Sequence, residues 1–549
     1  MKFGRIDSAT AAGAILAHGV PVPGGMFKKG RVLTDDDVAQ LKAAAVSHVV
    51  AARLEAGDVH EDAAANALAE ASAGDGVRAA AAFTGRANLI AEVMGVVVID
   101  PARVTAVNSV DEALTIATVP AFAVVRPRQM VATIKVIPFS APEGAVAAAA
   151  AAARAGGPLV RVAPLRDQPA GLVMTRLKST KESVLDKTTV TVRDRLERLG
   201  AHLAQEIRCD HTEEAVAAAV ATLAAKGCRP ILVIGASAIV DRRDIVPAGI
   251  VRAGGAVDRF GMPVDPGNLL LMAHLGDIPV IGAPGCARSP KTNGFDWVLA
   301  RVLAGLAVGD REIQGMAAGG LLMEGAARPQ EVAAHDEAPS APQIAALVLA
   351  AGMSRRAGSN KLLATIEGKP LVTWVVDSVL ATAARPVIVV TGNQDAEVQA
   401  ALAGRDVTFV HNPRFAEGLS TSLRQGMRKL AEVAPKVDGA LVCLGDMPSV
   451  RPQQLDRLIS AFNPAEGRTI CVPTFDGRRG NPVLWGHPYF AAMQEEVAGD
   501  TGARHLIGQH EDSVCEVAMT DGAIFLDLDT PEALAAAGAT PAARNGTRP

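Results

Sequence analysis

The sequence predicts an α/β protein with at least two domains. Its 549 residues are several times the size of a typical domain. Hydrophobic residues make up 49% of the chain and charged residues 20%, so large cores are possible and a disordered or fibrous protein is excluded. Short β-rich segments alternate with helical segments from Gly171 onward and again from Ile344. This alternation is typical of mainly parallel sheets that are covered by helices.

Charge and cysteine usage exclude several classes of protein. The net charge is −4, from 54 Lys and Arg against 58 Asp and Glu, and no dense basic stretch is present to neutralise a nucleic-acid backbone. The six cysteines form no CxxC pair, which argues against a zinc knuckle or a disulfide framework. The first residues lack the apolar core of a signal peptide, and the alanine-rich stretch from Ala145 to Ala153 is far shorter than the roughly 20 residues of a membrane span. We therefore expect a cytoplasmic protein without nucleic-acid or membrane partners.

Two changes in composition divide the chain into segments. Three prolines, Pro329, Pro339 and Pro342, lie among small and charged residues without apolar periodicity, which is typical of a linker. An alanine-rich predicted helix ends near Gly156, where glycine and proline follow. We expect an N-terminal lobe over 1–160, an α/β domain over 168–324, a linker over 325–343, a second α/β domain over 344–535 and a disordered tail over 536–549.

Each predicted element has a local reason. Thr34 precedes three aspartates and is expected to cap a helix rather than bind a metal. A helix is predicted from Thr212 to Lys226, and another from Pro452 to Phe462. The predicted strands are apolar and β-rich, and they lie within the segments 171–177, 203–209, 230–237, 344–352, 386–392, 407–413, 439–448 and 468–475. Because ligands bind at the carboxyl ends of such strands, the residues that follow them are the candidates for chemistry.

The segment after the strand that begins at Ile344 predicts a triphosphate site. Gly352 and Gly358 let a phosphate approach the backbone, Ser354 can donate a hydrogen bond, and Arg356 and Lys361 carry positive charge. The spacing matches neither the GxxxxGK[ST] loop nor the GxGxxG fingerprint, so the usual support for an ATPase or a dehydrogenase is missing.

Two carboxylates predict a metal site. Asp446 follows the strand that starts at Gly439 and is placed to hold a divalent metal, and Asp527 lies in Phe525–Leu528, which we interpret as another strand end. Asp529 or Thr530 would cap the following helix, and for Asp529 capping is favoured over catalysis. Carboxylate and triphosphate oxygens are the ligands that Mg²⁺ prefers. Cys443 is predicted to be a core residue rather than a nucleophile.

These motifs together resemble the MobA-like nucleotidyltransferase family, and within it the molybdenum cofactor cytidylyltransferases. The resemblance covers roughly 344–534 and includes LAAGMSRRAGSNKLL, LGDMP and DLDTPEAL, together with HNP, RGNPV and GDTGAR. It implies a Rossmann-like domain that transfers CMP from CTP to the terminal phosphate of molybdopterin, with Mg²⁺ as cofactor; the serine in AAG-x-S favours cytosine as the base. The implied catalytic residues are Arg356, Lys361 and Asp446, the implied metal ligands are Asp446 and Asp527, and the implied nucleotide-binding residues are Ala350, Ala351, Gly352, Ser354, Arg356, Gly358, Lys361 and Asp446.

The N-terminal half carries a second resemblance. Residues from Gly171 to about Leu306 resemble the molybdopterin-binding domain of molybdenum cofactor biosynthesis proteins. The first lobe more distantly resembles the small β-rich lobe of molybdopterin molybdotransferases, which implies a β-rich fold there. At 234–247 the family's TGGTG glycines are largely replaced by alanine and serine, which restricts approach of a phosphate to the backbone. The implied pterin-binding residues are Asp186, Ser237, Asp244, Gly285 and Arg288.

Two alternatives to cytidylyl transfer remain open at this stage. The chain could be a cofactor carrier or insertion partner for a molybdenum hydroxylase, which would make that enzyme or its maturation factor the partner. It could also be a nucleotidyltransferase that uses GTP or another phosphomonoester acceptor.

Overall fold

The computed structural model describes residues 1–23, 25–322, 341–353, 360–495, 497, 503–528 and 530–540. It divides into two compact units: unit 1 comprises Met1–Ala79 and Asn88–Ser340, and unit 2 comprises Ala80–Ala87 and Ala341–Pro549. Most of the predicted linker lies outside the described residues. Within the described ranges, no helix has the length and apolar character that a membrane crossing requires.

The first part of unit 1 is a β-rich lobe, as predicted. Thr34 caps helix α1 (Asp35–Ala43) by accepting a hydrogen bond from Asp37 N–H at 3.2 Å, which confirms that this aspartate-rich segment is a helix start. The strands of the lobe are β1 (Lys2–Asp7), β2 (Ile15–Leu16), β3 (Val20–Val22), β4 (Gly25–Phe27), β5 (His48–Arg53), β6 (Asp58–His60), β7 (Val77–Ala79), β8 (Arg86–Ala91), β9 (Gly95–Ile99), β10 (Leu114–Thr118), β11 (Val124–Val125), β12 (Met130–Val136), β13 (Ser140–Pro142) and β14 (Val160–Pro164). Its helices are α1 (Asp35–Ala43), α2 (Glu61–Ser72), α3 (Pro101–Asn108) and α4 (Glu143–Arg154).

The second part of unit 1 is an α/β domain around a six-stranded sheet. The strands are β15 (Pro169–Arg176), β16 (His202–Asp210), β17 (Ile231–Ile234), β18 (Ala256–Phe260), β19 (Leu271–Leu275) and β20 (Ile278–Gly282). Their order is β16-β15-β17-β20-β19-β18; the first four are parallel, and β19 and β18 continue the sheet in antiparallel fashion. The helices are α5 (Glu182–Arg198), α6 (Glu213–Ala225), α7 (Ile245–Arg252), α8 (Gly294–Leu303) and α9 (Asp310–Gln314). Apolar side chains on both faces of the sheet form two separate cores.

Unit 2 is built on an eight-stranded mixed sheet. Its strands are β21 (Ile344–Ala350), β24 (Val387–Thr391), β25 (Thr408–His411), β26 (Gly439–Leu444), β27 (Ile470–Phe475), β28 (Arg478–Arg479), β29 (Val483–Gly486) and β30 (Val514–Ala518), with a separate small hairpin of β22 (Thr365–Ile366) and β23 (Lys369–Pro370). The order is β25-β24-β21-β26-β29-β27-β28, with β30 also paired to β27. Strands β25, β24, β21 and β26 are parallel, whereas β29 runs antiparallel to both β26 and β27. The helices are α10 (Leu371–Leu380), α11 (Asp395–Ala401), α12 (Leu419–Val433), α13 (Pro452–Ala461), α14 (Phe490–Glu495), α15 (Arg504–Gln509) and α16 (Pro531–Ala536).

These sheets confirm the predicted α/β class, but two details of unit 2 differ from prediction. The expected strand at Phe525–Leu528 is wrong: Asp521 accepts a hydrogen bond from Ala523 N–H at 3.0 Å and caps a 3-10 helix over Gly522–Phe525 instead. The chain also remains packed beyond the predicted end of the domain. Thr540 and Thr365 exchange backbone hydrogen bonds of 2.8 and 2.9 Å, and Ala539 packs on a small apolar cluster.

Candidate active site

The carboxyl ends of β21 and β26 border a cavity of about 950 Å³ in unit 2. Parallel strands end at the same edge of a sheet, so residues that follow β21 and β26 meet there. Polar and charged side chains share the cavity with apolar ones. The described residues that line it include Gly352, Lys361, Phe415, Ser422, Asp446, Val472, Arg479, Asn481, Trp485, Arg504, Ile507 and Asp527.

Asp446 and Lys361 form an ion pair in this cavity. The Nζ of Lys361 donates a hydrogen bond to Oδ2 of Asp446, and the two side chains are 11% and 15% exposed. Lys361 begins a short 3-10 helix that Asn360 caps by accepting a hydrogen bond from Leu362 N–H at 3.2 Å. The cap fixes the backbone at Lys361, while strand β26 and the turn after it fix Asp446.

The second carboxylate oxygen of Asp446 has no partner among the described residues. Oδ1 is buried and accepts no hydrogen bond, which is costly for a carboxylate unless a ligand satisfies it. Asp527 lines the same cavity, and its carboxylate is not hydrogen-bonded within the described chain. No group of three or more His, Cys, Asp or Glu side chains suited to a metal occurs among the described residues. A metal here would therefore be held by one or two carboxylates and by substrate oxygens.

The predicted nucleotide loop is described only at its two ends. Ala350 is fully buried in the core and does not line the cavity, whereas Ala351 and Gly352 do. A Cβ at Gly352 would meet no described atom within 4 Å, so no described residue occupies the space in front of this glycine. Ser354, Arg356 and Gly358 lie outside the described residues.

Helix capping and core packing agree with the predicted minor roles. Thr530 caps α16 by accepting a hydrogen bond from Ala533 N–H at 3.2 Å, and Asp529 lies outside the described residues. Cys443 is 3% exposed in the core below the cavity. Burial raises the pKa of its thiol to about 12, which confirms Cys443 as a core residue rather than a nucleophile.

Four polar lining residues were not predicted as site residues: Ser422, Arg479, Asn481 and Arg504. Asn481 directly precedes the segment that leads into β29. Because β29 is antiparallel to β26, the amino end of β29 lies at the same edge of the sheet as the carboxyl end of β26. A search limited to residues that follow strands misses this position. The RGNP and GDTGAR segments that carried the family resemblance were the available signal for Arg479, Asn481 and Arg504.

In unit 1 the predicted pterin-binding residues fall into two groups. Arg288 donates a hydrogen bond to the carbonyl of Gly235 at 2.8 Å, which places it beside the loop that contains Ser237. Burial lowers the pKa of Arg288, and no carboxylate in the described chain pairs with it. Asp186, by contrast, is 64% exposed and accepts a hydrogen bond from Arg208 at 2.8 Å.

Two further predicted residues of unit 1 have clear local roles. Asp244 caps α7 by accepting a hydrogen bond from Ile245 N–H at 2.7 Å. Gly285 begins a 3-10 helix over Gly285–Arg288 and thereby positions Arg288. A Cβ at Gly285 would meet no atom of the described residues within 4 Å, which leaves the backbone there accessible from this side.

A hydrogen-bonded chain next to this loop was not predicted. The Nε2 of His211 lies 2.9 Å from Oγ of Ser237, and its Nδ1 lies 2.8 Å from Oγ1 of Thr175. Thr175 is fully buried and its Oγ1 also accepts a hydrogen bond from Ala236 N–H at 2.7 Å. No periodicity or motif in the sequence points to His211, which follows β16 directly. Thr175, His211 and Ser237 thus meet at the carboxyl ends of three parallel strands.

Comparison with protein families identifies the domain in unit 2. Residues 346–514 match the MobA-like NTP transferase domain. A second match, to a domain of unknown function (DUF8806), covers residues 5–53. The chain therefore carries a MobA-like NTP transferase domain at its C-terminal end, whereas the molybdopterin-binding character of unit 1 stays a prediction.

Three relatives illustrate the similarity. The chain is 28% identical over 188 residues to a molybdenum cofactor cytidylyltransferase from Escherichia coli (strain K12), which covers 34% of this chain and 91% of that protein. It is 32% identical over 122 residues to the bifunctional protein GlmU from Francisella tularensis subsp. novicida (strain U112), but this match spans only 26% of that protein and 22% of this chain. The crystal structure of Rv0371c from Mycobacterium tuberculosis H37Rv is 30% identical, with 36% of this chain and 98% of that chain covered and a TM-score of 0.32. A manganese complex of Rv0371c is 29% identical, with 36% and 97% covered and a TM-score of 0.30.

Proposed function

We propose that unit 2 transfers CMP from CTP to the terminal phosphate of molybdopterin, with or without bound molybdenum, and releases pyrophosphate. The observation that carries this proposal is the Asp446 carboxylate, which accepts a hydrogen bond from Lys361 on one oxygen and has no described partner on its other, buried oxygen. It lies in a cavity that Gly352 also lines, and no described atom lies within 4 Å of a Cβ placed at this glycine. The MobA-like domain match and the similarity to the Escherichia coli cytidylyltransferase support the choice of substrates.

The described carboxylates fit a divalent metal. The unpartnered Oδ1 of Asp446 is a hard oxygen ligand, and Asp527 offers a second carboxylate in the same cavity. Mg²⁺ commonly takes one or two protein carboxylates and completes its shell with phosphate oxygens and water. When bound, Mg²⁺ would neutralise charge on the reacting phosphates.

The residues of the chain would bind the substrates and neutralise the rest of their negative charge. An oxygen of the pterin phosphate forms a bond to the α-phosphorus of CTP, and the bond from that phosphorus to the bridging oxygen of pyrophosphate breaks. A phosphomonoester has its second pKa near 6 and is mostly dianionic at neutral pH, so no general base is needed. Lys361, and by our sequence prediction Arg356, would stabilise the negative charge on the triphosphate, while Gly352 gives the phosphates access to the backbone.

We further propose that the α/β domain of unit 1 holds the pterin before transfer. The half-buried Arg288 without a carboxylate partner, next to the Ser237 loop, is the support for this assignment. Asp186 is engaged by Arg208 and is a weaker candidate than Ser237 or Arg288. A covalent link between the two domains would raise the effective concentration of pterin at the transferase site.

The two alternatives predict different behaviour of the same cavity. A cofactor carrier for a molybdenum hydroxylase has no need for the Lys361–Asp446 pair at the end of a nucleotide loop. A transferase with another base or acceptor needs the pair but would respond to other substrates.

The deciding experiment is pyrophosphate release by the full chain with molybdopterin and Mg²⁺, with CTP, GTP and ATP compared at equal concentration. We expect release with CTP. Release with GTP alone would change the base, and release only with other phosphomonoesters would change the acceptor. Tight binding of molybdopterin without release from any nucleotide would replace the proposal with the carrier function.

A further inference from the structure

The cavity of unit 2 extends well beyond the Lys361–Asp446 pair. It is lined by Leu349 of β21 at one side and by Val472 of β27 at the other. The strand order β21-β26-β29-β27 separates these strands by three sheet spacings, or about 14 Å at the usual distance between neighbouring strands. The cavity therefore has room for a second substrate beside the nucleotide.

In-line transfer fixes the side on which that second substrate binds. This step rests on the proposed function, in which the triphosphate lies against the segment that follows β21. The attacking oxygen and the leaving oxygen lie roughly opposite each other across the reacting phosphorus. The acceptor phosphate must therefore approach from the side of β29 and β27, away from Gly352.

The described cationic side chains that line the cavity differ in whether a carboxylate already pairs with them. Lys361 is bonded to Asp446. Arg479 donates from Nε to Glu516 at 2.8 Å and from Nη1 to Glu511 at 3.1 Å, and these hydrogen bonds raise the pKa of Arg479. Arg504 lines the cavity and makes no hydrogen bond or ion pair with the residues that the structure describes. Among the described cations that line the cavity, Arg504 is thus the one whose charge is available to a ligand.

Packing of helix α15 against the core fixes the position of Arg504. It is the first residue of α15, whose Leu506 is 1% exposed in the same core as Trp485 of β29. Ile507, on the same helix, lines the cavity together with Val472 and Trp485. An anionic group bound by Arg504 would therefore belong to a ligand whose body contacts an apolar wall.

We propose that Arg504 binds the phosphate of the acceptor and selects phosphomonoesters with an apolar or aromatic body. A dianionic acceptor must approach the polyanionic nucleotide, and a fixed guanidinium next to the path offsets their repulsion. Loss of this contact should weaken binding of the acceptor and leave binding of the nucleotide unchanged.

The kinetic test compares the wild type with Arg504→Ala, Arg504→Lys and the control Arg428→Ala in the full chain. Arg428 is an exposed arginine of α12 that does not line the cavity. We expect Arg504→Ala to raise KM for molybdopterin by about ten- to a hundredfold, as for loss of a hydrogen bond to a charged group, with KM for CTP unchanged. Arg504→Lys should recover part of the loss because it keeps the charge, and Arg428→Ala should match the wild type.

A binding measurement separates this inference from the proposed function. Molybdopterin binding is measured with α,β-methylene CTP, which cannot release pyrophosphate, in an Arg288→Ala background that removes the pterin site proposed for unit 1. The wild-type residue at 504 should bind molybdopterin and Arg504→Ala should bind it more weakly. Equal affinity, no binding in either protein, or a loss of nucleotide affinity in Arg504→Ala would each overturn the role of Arg504. Binding that depends on Arg504 without pyrophosphate release from CTP would instead refute the proposed reaction alone.

Discussion

Lys361 donates a hydrogen bond to Asp446 across 85 positions of sequence, and this contact joins the end of the predicted nucleotide loop after β21 to the end of β26. It occupies only one carboxylate oxygen and leaves Oδ1 of Asp446 buried without a partner in the described chain. If both carboxylate oxygens accepted hydrogen bonds from the protein, the ion pair would have a structural role only. Here the pair holds the carboxylate in place, leaves its Oδ1 available for a ligand and places an ammonium group next to it.

The first prediction concerns the free oxygen of Asp446. Asp446→Asn keeps the shape of the side chain but removes the negative charge that a metal requires. We expect the rate of pyrophosphate release with Mg²⁺ to fall at least about a hundredfold, the scale seen when a main electrostatic group is removed from an active site. The control is Asp406→Asn, an exposed aspartate of unit 2 that does not line the cavity. An Asp446→Asn protein with wild-type turnover would contradict the metal assignment.

The second prediction separates folding from binding at Gly352. A methyl group there meets none of the described atoms within 4 Å, so Gly352→Ala should fold with an unchanged melting temperature. The same methyl group would occupy space that the phosphates need, and the affinity for CTP should fall about tenfold or more. Gly144→Ala, at an equally open glycine near the start of α4 in unit 1, should leave CTP affinity unchanged. Equal CTP affinity in both variants would show that the phosphates do not approach Gly352.

Much of the candidate site in unit 2 could be predicted because several of its residues lie in segments that follow parallel strands. The apolar runs that became β21 and β26 lie next to each other in the sheet, so the segments that follow them, with Lys361 and Asp446, meet at one edge. The opposite wall could not be found by the same rule. Asn481 precedes an antiparallel strand and Arg504 lies on a helix, so neither follows the end of a parallel strand.

The partners of individual side chains could not be predicted from the sequence either. Asp186 was assigned to the pterin from its place in a resembling segment, but strand β16 brings Arg208 close enough to pair with it. The hydrogen-bonded chain from Thr175 through His211 to Ser237 depends on the alignment of β15, β16 and β17. Such contacts arise from strand order, which local patterns do not contain.

The third prediction tests the pterin site in unit 1. Burial lowers the pKa of Arg288, and its guanidinium has no carboxylate partner in the described chain, so an anionic ligand would be stabilised there. Arg288→Ala should weaken binding of molybdopterin in the absence of nucleotide about tenfold or more, with CTP affinity unchanged. Arg193→Ala, an exposed arginine of α5, is the matched control. If Arg288→Ala and Arg193→Ala bind molybdopterin equally well, the pterin is held elsewhere.

The fourth prediction concerns the acid stability of the first lobe, where Asp37 is 2% exposed in its side chain. Burial alone would raise the pKa of its carboxyl, but hydrogen bonds from Arg31 at 2.8 and 2.9 Å and from Thr34 N–H at 3.1 Å hold the pKa below its usual value. A carboxyl with a lowered pKa in the folded state contributes stability that is complete above its unfolded pKa, about 3.9, and is lost as the pH falls through the folded pKa. Asp37→Asn should therefore reduce the hydrogen-exchange protection of α1 at pH 7 by about 1 to 2 kcal/mol, the scale of a lost helix cap, and the difference from wild type should shrink below about pH 4. Asp36→Asn, at the neighbouring exposed position, should have a much smaller effect at both pH values. Equal protection of α1 in wild type and Asp37→Asn at pH 7 would show that the ion pair with Arg31 does not stabilise this helix.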